Sequence, residues 1–322
     1  MTNDTILSVQ DLKKYFSTKS GQLHAVDGVT FDIKRGTTLG VVGESGCGKS
    51  TLGRVILHLL PKTSGTILFN GEDISNVTQK RLHELRREMQ IIFQDPFSSI
   101  DPRQTVSEII GEPLIVHKLV KDHVEYEKRV REIMDIVGLA RRLEHSYPHE
   151  LDGGRRQRIG IGRALMLEPK FIVCDEPVSA LDVSIQAQIL NLMQDLQEER
   201  QLTYMFITHN LSVVKHISDK INVMYLGMLV ETAEAKDLFR NQYHPYTKAL
   251  ISAIPGIKRE KKRERIILKG EITSPIDPPN ACRFAARCIY AKEECFNSCP
   301  KLEKLSEDHF VACHFAKEIN GL

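Results

Sequence analysis

An α/β fold built around a phosphate-binding loop is what this sequence predicts, and three observations carry the prediction. A loop of fixed spacing, Gly43-Glu44-Ser45-Gly46-Cys47-Gly48-Lys49-Ser50-Thr51, follows one apolar run and precedes another stretch rich in apolar residues. A second apolar run, Phe171-Ile172-Val173-Cys174, ends in the acids Asp175 and Glu176. Apolar residues at helical spacing recur at Val130, Ile133, Met134 and Val137, and the stretch holding Ile185, Ile189, Leu192 and Leu196 reads as another helix packed on the sheet.

The run before the loop, Leu39-Gly40-Val41-Val42, reads as a buried strand, and Leu52-Gly53-Arg54-Val55-Ile56-Leu57 reads as the following helix. That strand–loop–helix order is what gives the Gly-x4-Gly-Lys-Ser pattern its meaning. The glycines permit backbone conformations closed to other residues, so successive N–H groups point into one concavity. The helix N-terminus adds partial positive charge at the same place. Lys49 is expected to reach the β- and γ-phosphates and the Ser50 hydroxyl to hold Mg²⁺. The second run should carry Asp175 to the C-terminal edge of a sheet, where open α/β folds bind ligands. Asp175 is expected to help hold Mg²⁺, and Glu176 to polarise the attacking water.

Bulk properties bound the rest. A chain of 322 residues exceeds the usual single core, so one large domain with an appendage is expected. Composition is ordinary, 41% hydrophobic and 27% charged, and a net charge of +2 gives nucleic acid no support as the main ligand. No apolar run is long enough to span a bilayer, and Met1-Thr2-Asn3-Asp4-Thr5 lacks the basic-then-apolar start of a signal peptide. A cytosolic setting is therefore expected, in which stable disulfides are rare. Of the seven cysteines, Cys47 and Cys174 fall inside the nucleotide motifs. Cys282, Cys288, Cys295, Cys299 and Cys313 crowd the C-terminus behind a charged stretch, Lys258 to Arg265, that reads as a solvated linker. Two parts are predicted: a nucleotide-binding domain over 1–256 and a Cys-rich region over 257–322.

Between the two apolar runs, Leu151-Asp152-Gly153-Gly154-Arg155-Arg156-Gln157-Arg158-Ile159 opens a long helix. With this segment the chain resembles the ATP-binding subunits of ABC transporters, over nearly all of residues 6–255. The resemblance matches Gln94 to the Q-loop, Ser179-Ala180-Leu181-Asp182 to the D-loop, and His209 to the switch histidine. It matches Phe16 to the aromatic that stacks on adenine, with Tyr15 as second choice. It implies a P-loop α/β core with an antiparallel β portion near the N-terminus and a helical subdomain at about 95–165. It also implies two subunits sandwiching two ATP molecules, each between one chain's phosphate loop and the other's Asp152-Gly153-Gly154 segment. His209 would contact the γ-phosphate, and Gln94 would join the metal site and relay its state to the transmembrane contact. Where the family has Leu-Ser-Gly-Gly-Gln, this chain has Asp152 for Ser and Arg155 for Gln. Asp remains a good N-cap. A carboxylate facing a triphosphate costs about 1 kcal/mol or more even when screened, a cost Arg155 would partly offset. A heterodimer with an ATPase of unaltered signature is therefore expected.

Val41 to Ser50, Phe93 to Arg103 and His244-Pro245-Tyr246-Thr247-Lys248-Ala249-Leu250 look specifically like the dipeptide/oligopeptide permease ATPases, with nickel permease ATPases sharing much of the likeness. This implies an ATP-hydrolysing subunit at the cytoplasmic face of the membrane. Its partners would be two permease subunits, a homologous ATPase and, indirectly, an extracytoplasmic peptide-binding protein. A different class remains as the alternative: a soluble ABC ATPase with an iron–sulfur domain acting on nucleic acid or ribosomes. The tail spacing, Cys-x5-Cys-x6-Cys-x3-Cys-x13-Cys, departs from the close pairs of structural zinc sites except at Cys295 and Cys299, and wider spacing suits a cuboidal cluster. The resemblance implies a [4Fe–4S] cluster on Cys282, Cys288, Cys295 and Cys313. Zinc and reduced thiols stand as alternatives, as does Cys299 in place of Cys295 or Cys313. A cluster could be structural, or the tail could be a redox sensor. Because every predicted nucleotide residue precedes 210, ATP binding is expected to survive cluster loss.

Overall fold

The computed structural model describes residues 4–95, 99–254, 266–268, 270 and 274–322. The whole charged stretch from Lys258 to Arg265, and Pro96-Phe97-Ser98 after the Q-loop, lie outside the described residues. The chain divides into two compact units.

The first unit holds residues 1–34, 38–76 and 206–322. It begins with a long antiparallel hairpin, Thr5–Thr18 and Gly21–Lys34, turned at Lys19-Ser20. The turn is closed locally: the Thr18 hydroxyl donates to the Gly21 carbonyl (2.7 Å) and accepts from the Ser20 N–H (3.2 Å). Ser64–Phe69 pairs antiparallel with the other edge of the first strand, and Glu72–Asp73 with Ser64–Phe69. This is the antiparallel portion the sequence implied.

The second sheet of this unit is mixed. Thr38–Val42 is buried at all five positions and runs parallel to Lys220–Tyr225. An unbroken apolar strand of this kind needs cover on both faces, unlike the alternating strands of a half-exposed sheet. Met228–Glu234 returns antiparallel on Lys220–Tyr225, and the tail continues the sheet: His309–Val311 pairs with Met228–Glu234, and Glu303–Ser306 with His309–Val311. Tail residues also meet the N-terminal hairpin, where Asp277 N–H donates to Gln22 O (2.8 Å) and His24 N–H to Pro275 O (2.9 Å).

The second unit holds residues 35–37 and 77–205. Met89–Ile92 and Phe171–Asp175 pair in parallel, the latter wholly buried. Its helices start where the sequence supplies caps. Thr105 and Glu108 form a capping box at Val106–Val116, with Thr105 N–H donating to Glu108 Oε2 (2.7 Å). Asp122 caps His123–Ile136, which buries Val130, Ile133 and Met134, with Val137 buried just beyond its end. In Val183–Arg200 the expected stripe is rotated. Ile189, Leu190, Met193 and Leu196 are buried, whereas Ile185 and Leu192 are half-exposed. The buried spacing 189, 193, 196 keeps the 3.6-residue period.

Candidate nucleotide-binding site

In the first unit, Thr38–Val42 delivers the loop and the helix Lys49–Ile56 starts within the motif itself. Two glycines are demanded by sterics. A Cβ on Gly48, at φ +102°, would lie 1.9 Å from the Ala25 carbonyl oxygen. One on Gly43, at φ +156°, would lie 2.1 Å from the Met224 carbonyl oxygen. The helix has no side-chain cap, so its first N–H groups face the concavity of the loop. Lys49 is buried, and its ammonium donates to the carbonyls of Gly43 (2.8 Å) and Glu44 (2.9 Å), with Cys47 Sγ at 3.7 Å. A buried positive charge is thus held against the loop's own carbonyls. Ser45 and Gly46 are exposed, while Ser50 and Thr51 are half-buried. Burial pushes the Cys47 thiol pKa up, against the pull of Lys49.

Phe16 is half-buried on Thr5–Thr18, with the Lys14 ammonium 4.6 Å from its ring centre. Tyr15 is engaged otherwise: its ring stacks on His24 at 3.8 Å and its hydroxyl donates to Asp27 Oδ1 (2.5 Å). His209 is exposed just past Thr203–Thr208, and Asn210 beside it caps the helix Leu211–Ile217 by accepting from Ser212 N–H (3.0 Å).

In the second unit, Asp175 ends its strand buried, and Glu176 follows at φ +49°, in the left-handed region. Gln94 Nε2 donates to Glu176 Oε2 at 3.0 Å, so the Q-loop amide and the acid are in contact. The Ser179 N–H and hydroxyl donate to the Glu176 carbonyl (3.3 and 3.1 Å). Asp182 caps Val183–Arg200, accepting from Ile185 N–H (3.0 Å) and the Ser184 hydroxyl (2.7 Å), which holds its carboxyl below the usual range. Asp152 caps Gly153–Leu165 in the same way: its Oδ1 accepts from Arg155 N–H at 2.8 Å. The Arg155 guanidinium stands 3.4 Å from Asp152 Oδ2. The two departures from the family signature therefore form an ion pair, exposed on both sides and worth at most about 1 kcal/mol. Asp152, Gly154, Arg155, Arg142 and Arg158 line a cavity of about 320 Å³.

Returning to the first unit, Cys282, Cys288, Cys295 and Cys313 line one cavity together with Phe284 and Phe315. Cys299 lies elsewhere, its Sγ 3.9 Å from Met228 Sδ. Burial, aided by neighbouring thiols, pushes Cys282 up to about 12 and Cys313 up to about 11. Among the described residues no three His, Cys, Asp or Glu side chains converge on a single metal ion.

Sequence reasoning missed Arg287, whose guanidinium forks onto the Glu44 carboxylate of the phosphate loop (2.6 and 3.1 Å). It also missed Tyr246, whose hydroxyl accepts from Glu44 N–H (2.8 Å). Arg287 carries no motif signal, and although Tyr246 falls in the His244–Leu250 stretch, nothing local announces either pairing, since each spans some two hundred residues.

Residues 26–179 match the family described as ABC transporter, and residues 230–295 match the C-terminal region of oligopeptide/dipeptide transporters. The chain is 51% identical to the oligopeptide transport ATP-binding protein AppF of Bacillus subtilis over 321 residues, 97% of each chain. The chain belongs to the ATPases of the ABC oligopeptide-permease family. OppF of the same organism is 54% identical over 264 residues, 82% of this chain and 87% of that one. In fold, this ABC subunit matches the dimeric ATP-binding cassette MJ0796 bound to ADP and phosphate, at a TM-score of 0.66 and 27% identity, over 71% of this chain and 99% of the other. It is an ATP-hydrolysing subunit. No helix among the described residues is long and apolar enough to cross a membrane.

Proposed function

We infer that this subunit energises the import of dipeptides or oligopeptides through two separate membrane permease subunits, bound to them at the cytoplasmic face. The names of its relatives AppF and OppF carry the reading, and the alignment with AppF, at 51% identity over 97% of each chain, takes in both the ATPase part and the tail. A peptide-binding protein outside the membrane would deliver the cargo. In the cycle, Lys49 and the uncapped helix end receive the phosphates, Ser50 and Asp175 hold Mg²⁺ with Gln94, and Phe16 stacks on adenine because Tyr15 is already paired with His24. Glu176 polarises the water and His209 steadies the γ-phosphate. The Gln94–Glu176 contact supports a role for the Q-loop in telling the permease whether the acid is engaged.

The partner ATPase is a homologue rather than a second copy. Asp152 uses its carboxylate to cap the signature helix, which places an acid where a γ-phosphate should dock, and Arg155 is exposed and only partly offsets it.

Residues 1–256 bind nucleotide and 257–322 carry a [4Fe–4S] cluster on Cys282, Cys288, Cys295 and Cys313. That these four thiols share one cavity while Cys299 stands apart supports the ligand set. Cys282, Cys288, Cys295 and Cys313 would each supply one thiolate to such a cluster, a ligand set that does not require the four sulfurs to meet at one point. Buried thiols with raised pKa values ionise readily only against a cation, which an iron core supplies. The cavity's own volume, about 10 Å³, is room for about one water, so the side chains must turn outward to seat the core.

The test is purification of the assembled complex with its binding protein in vesicles. Peptide should stimulate ATP hydrolysis several-fold and nickel should not. Stimulation by nickel alone would move the subunit to the metal-importing branch, and stimulation by neither would sink the importer reading.

A further inference from the structure

The short segment between Cys282 and Cys288 carries two arginines, Arg283 and Arg287, each with a side chain only 8% exposed. Both reach into the nucleotide-binding part of the same unit. Arg287 forks onto Glu44, the second residue of the phosphate loop, at 2.6 and 3.1 Å. Arg283 donates to the Leu226 carbonyl and to the carboxylate of Asp27.

Glu44 is a junction. Its carboxylate takes Arg287, its N–H takes the Tyr246 hydroxyl, and its carbonyl takes the Lys49 ammonium. Three residues along, the Cys47 carbonyl accepts from Gly227 N–H (2.9 Å), and the Gly227 carbonyl accepts from Asp27 N–H (2.8 Å). The Leu226-Gly227 turn and Asp27 are the two groups that Arg283 ties together. A tail guanidinium thus stands behind each of the two points where the loop is fastened. The segment is itself firmly seated, because Phe284 packs on Tyr225 and Tyr246, with ring centres 5.3 and 5.5 Å apart.

Charge gives the arrangement its purpose. The loop must accept a triphosphate, yet it carries a carboxylate at its second position. Left unpaired, Glu44 would oppose the phosphates and compete with them for Lys49. A planar fork that is always charged cancels a carboxylate in fixed geometry better than an ammonium does.

The geometry points to Arg287, supported by Arg283, as a positioning residue of the nucleotide site: by neutralising and orienting Glu44 from the tail, it makes ATP affinity depend on the Cys-rich region. The inference rests on the phosphate-loop reading but not on the cluster. It adds a contact from the tail to the reasoning that ATP binding survives cluster loss because every predicted nucleotide residue precedes 210.

The test measures the dissociation constant of a fluorescent ATP analogue on the full chain, with the thermal midpoint without nucleotide as the check on folding. Binding by the unaltered protein secures the loop reading separately. Arg287→Ala should weaken binding about five- to tenfold, and Arg287→Lys about two- to threefold. The deciding variant is Glu44→Gln with Arg287→Ala, which removes both charges and should bind more tightly than Arg287→Ala alone. A tail that serves only as a mechanical staple would not show this rescue. Unchanged affinity in both single Arg287 variants, or a double variant that binds no more tightly than Arg287→Ala, would overturn the proposal. Should Arg287→Ala not fold, Arg287→Gln, alone and with Glu44→Gln, makes the same comparison with more of the side chain kept.

Discussion

His309 has both ring nitrogens on carboxylates, Nε2 at 2.8 Å from Glu231 and Nδ1 at 2.6 Å from Asp237, with no side-chain exposure of its own or of Glu231. Burial lowers its pKa, but the hydrogen bonds to Glu231 and Asp237 outweigh burial and hold it above the ordinary histidine value. A raised folded-state pKa means that the protonated ring stabilises the native state. That contribution is complete below about 6.5, the unfolded value, and is lost as pH rises through the folded one. The thermal midpoint should therefore fall between about pH 6.5 and the folded pKa, and His309→Gln should flatten that fall. Equal slopes in the two proteins would show that His309 is not the source of the pH dependence. Nothing in the sequence announced this triad: His309 lies in a polar stretch and its partners stand far away in the chain. The places of Lys49 at a helix start and of Glu176 just past a buried strand were legible for the opposite reason, since both lie in motifs of fixed local spacing.

The signature helix shows how a departure from pattern is absorbed locally. Asp152 still caps, Arg155 pairs with it, and the helix Gly153–Leu165 forms as it would with the family's residues. In the proposed dimer the difference would lie in the charge offered to a phosphate. Restoring Ser at 152 and Gln at 155 should raise homodimer formation and turnover of the isolated chain, read by light scattering and phosphate release. No gain from either reversion would remove the case for a heterodimer. The tail is the other element with a chemical test. Anaerobically purified protein should be brown, absorb near 400 nm and hold about four irons. Ser at 282, 288, 295 or 313 should each bleach it, and Cys299→Ser should not. A colourless protein with stoichiometric zinc would contradict the cluster, and bleaching by Cys299→Ser would contradict the ligand set. Helix positions were read well wherever burial is one-sided. The stripe of Val183–Arg200 was misplaced because Ile185 and Leu192 are apolar yet half-exposed, and period alone cannot say which of several apolar rows faces inward. The pairing of Glu303–Ser306 and His309–Val311 onto the edge of the main sheet was not legible either, since the strands are short, polar and non-local.

The molecule as a whole brings the phosphate loop, the candidate switch histidine and the Cys-rich tail into one compact unit, and the acids, Q-loop and signature helix into another. Hydrolysis is useful only if it is spent on transport, so Glu176 is the residue through which the whole account is tested. The measurement is uptake of a labelled oligopeptide into vesicles holding the two permease subunits, both ATPase subunits and the binding protein, with ATP supplied on the side of the ATPases. The account predicts ATP-dependent accumulation by the unaltered complex and a loss of at least about a hundredfold in both uptake and hydrolysis with Glu176→Gln in this chain, nucleotide binding being retained. Uptake that persists at the unaltered rate with Glu176→Gln, or hydrolysis that proceeds without regard to peptide and permease, would contradict it.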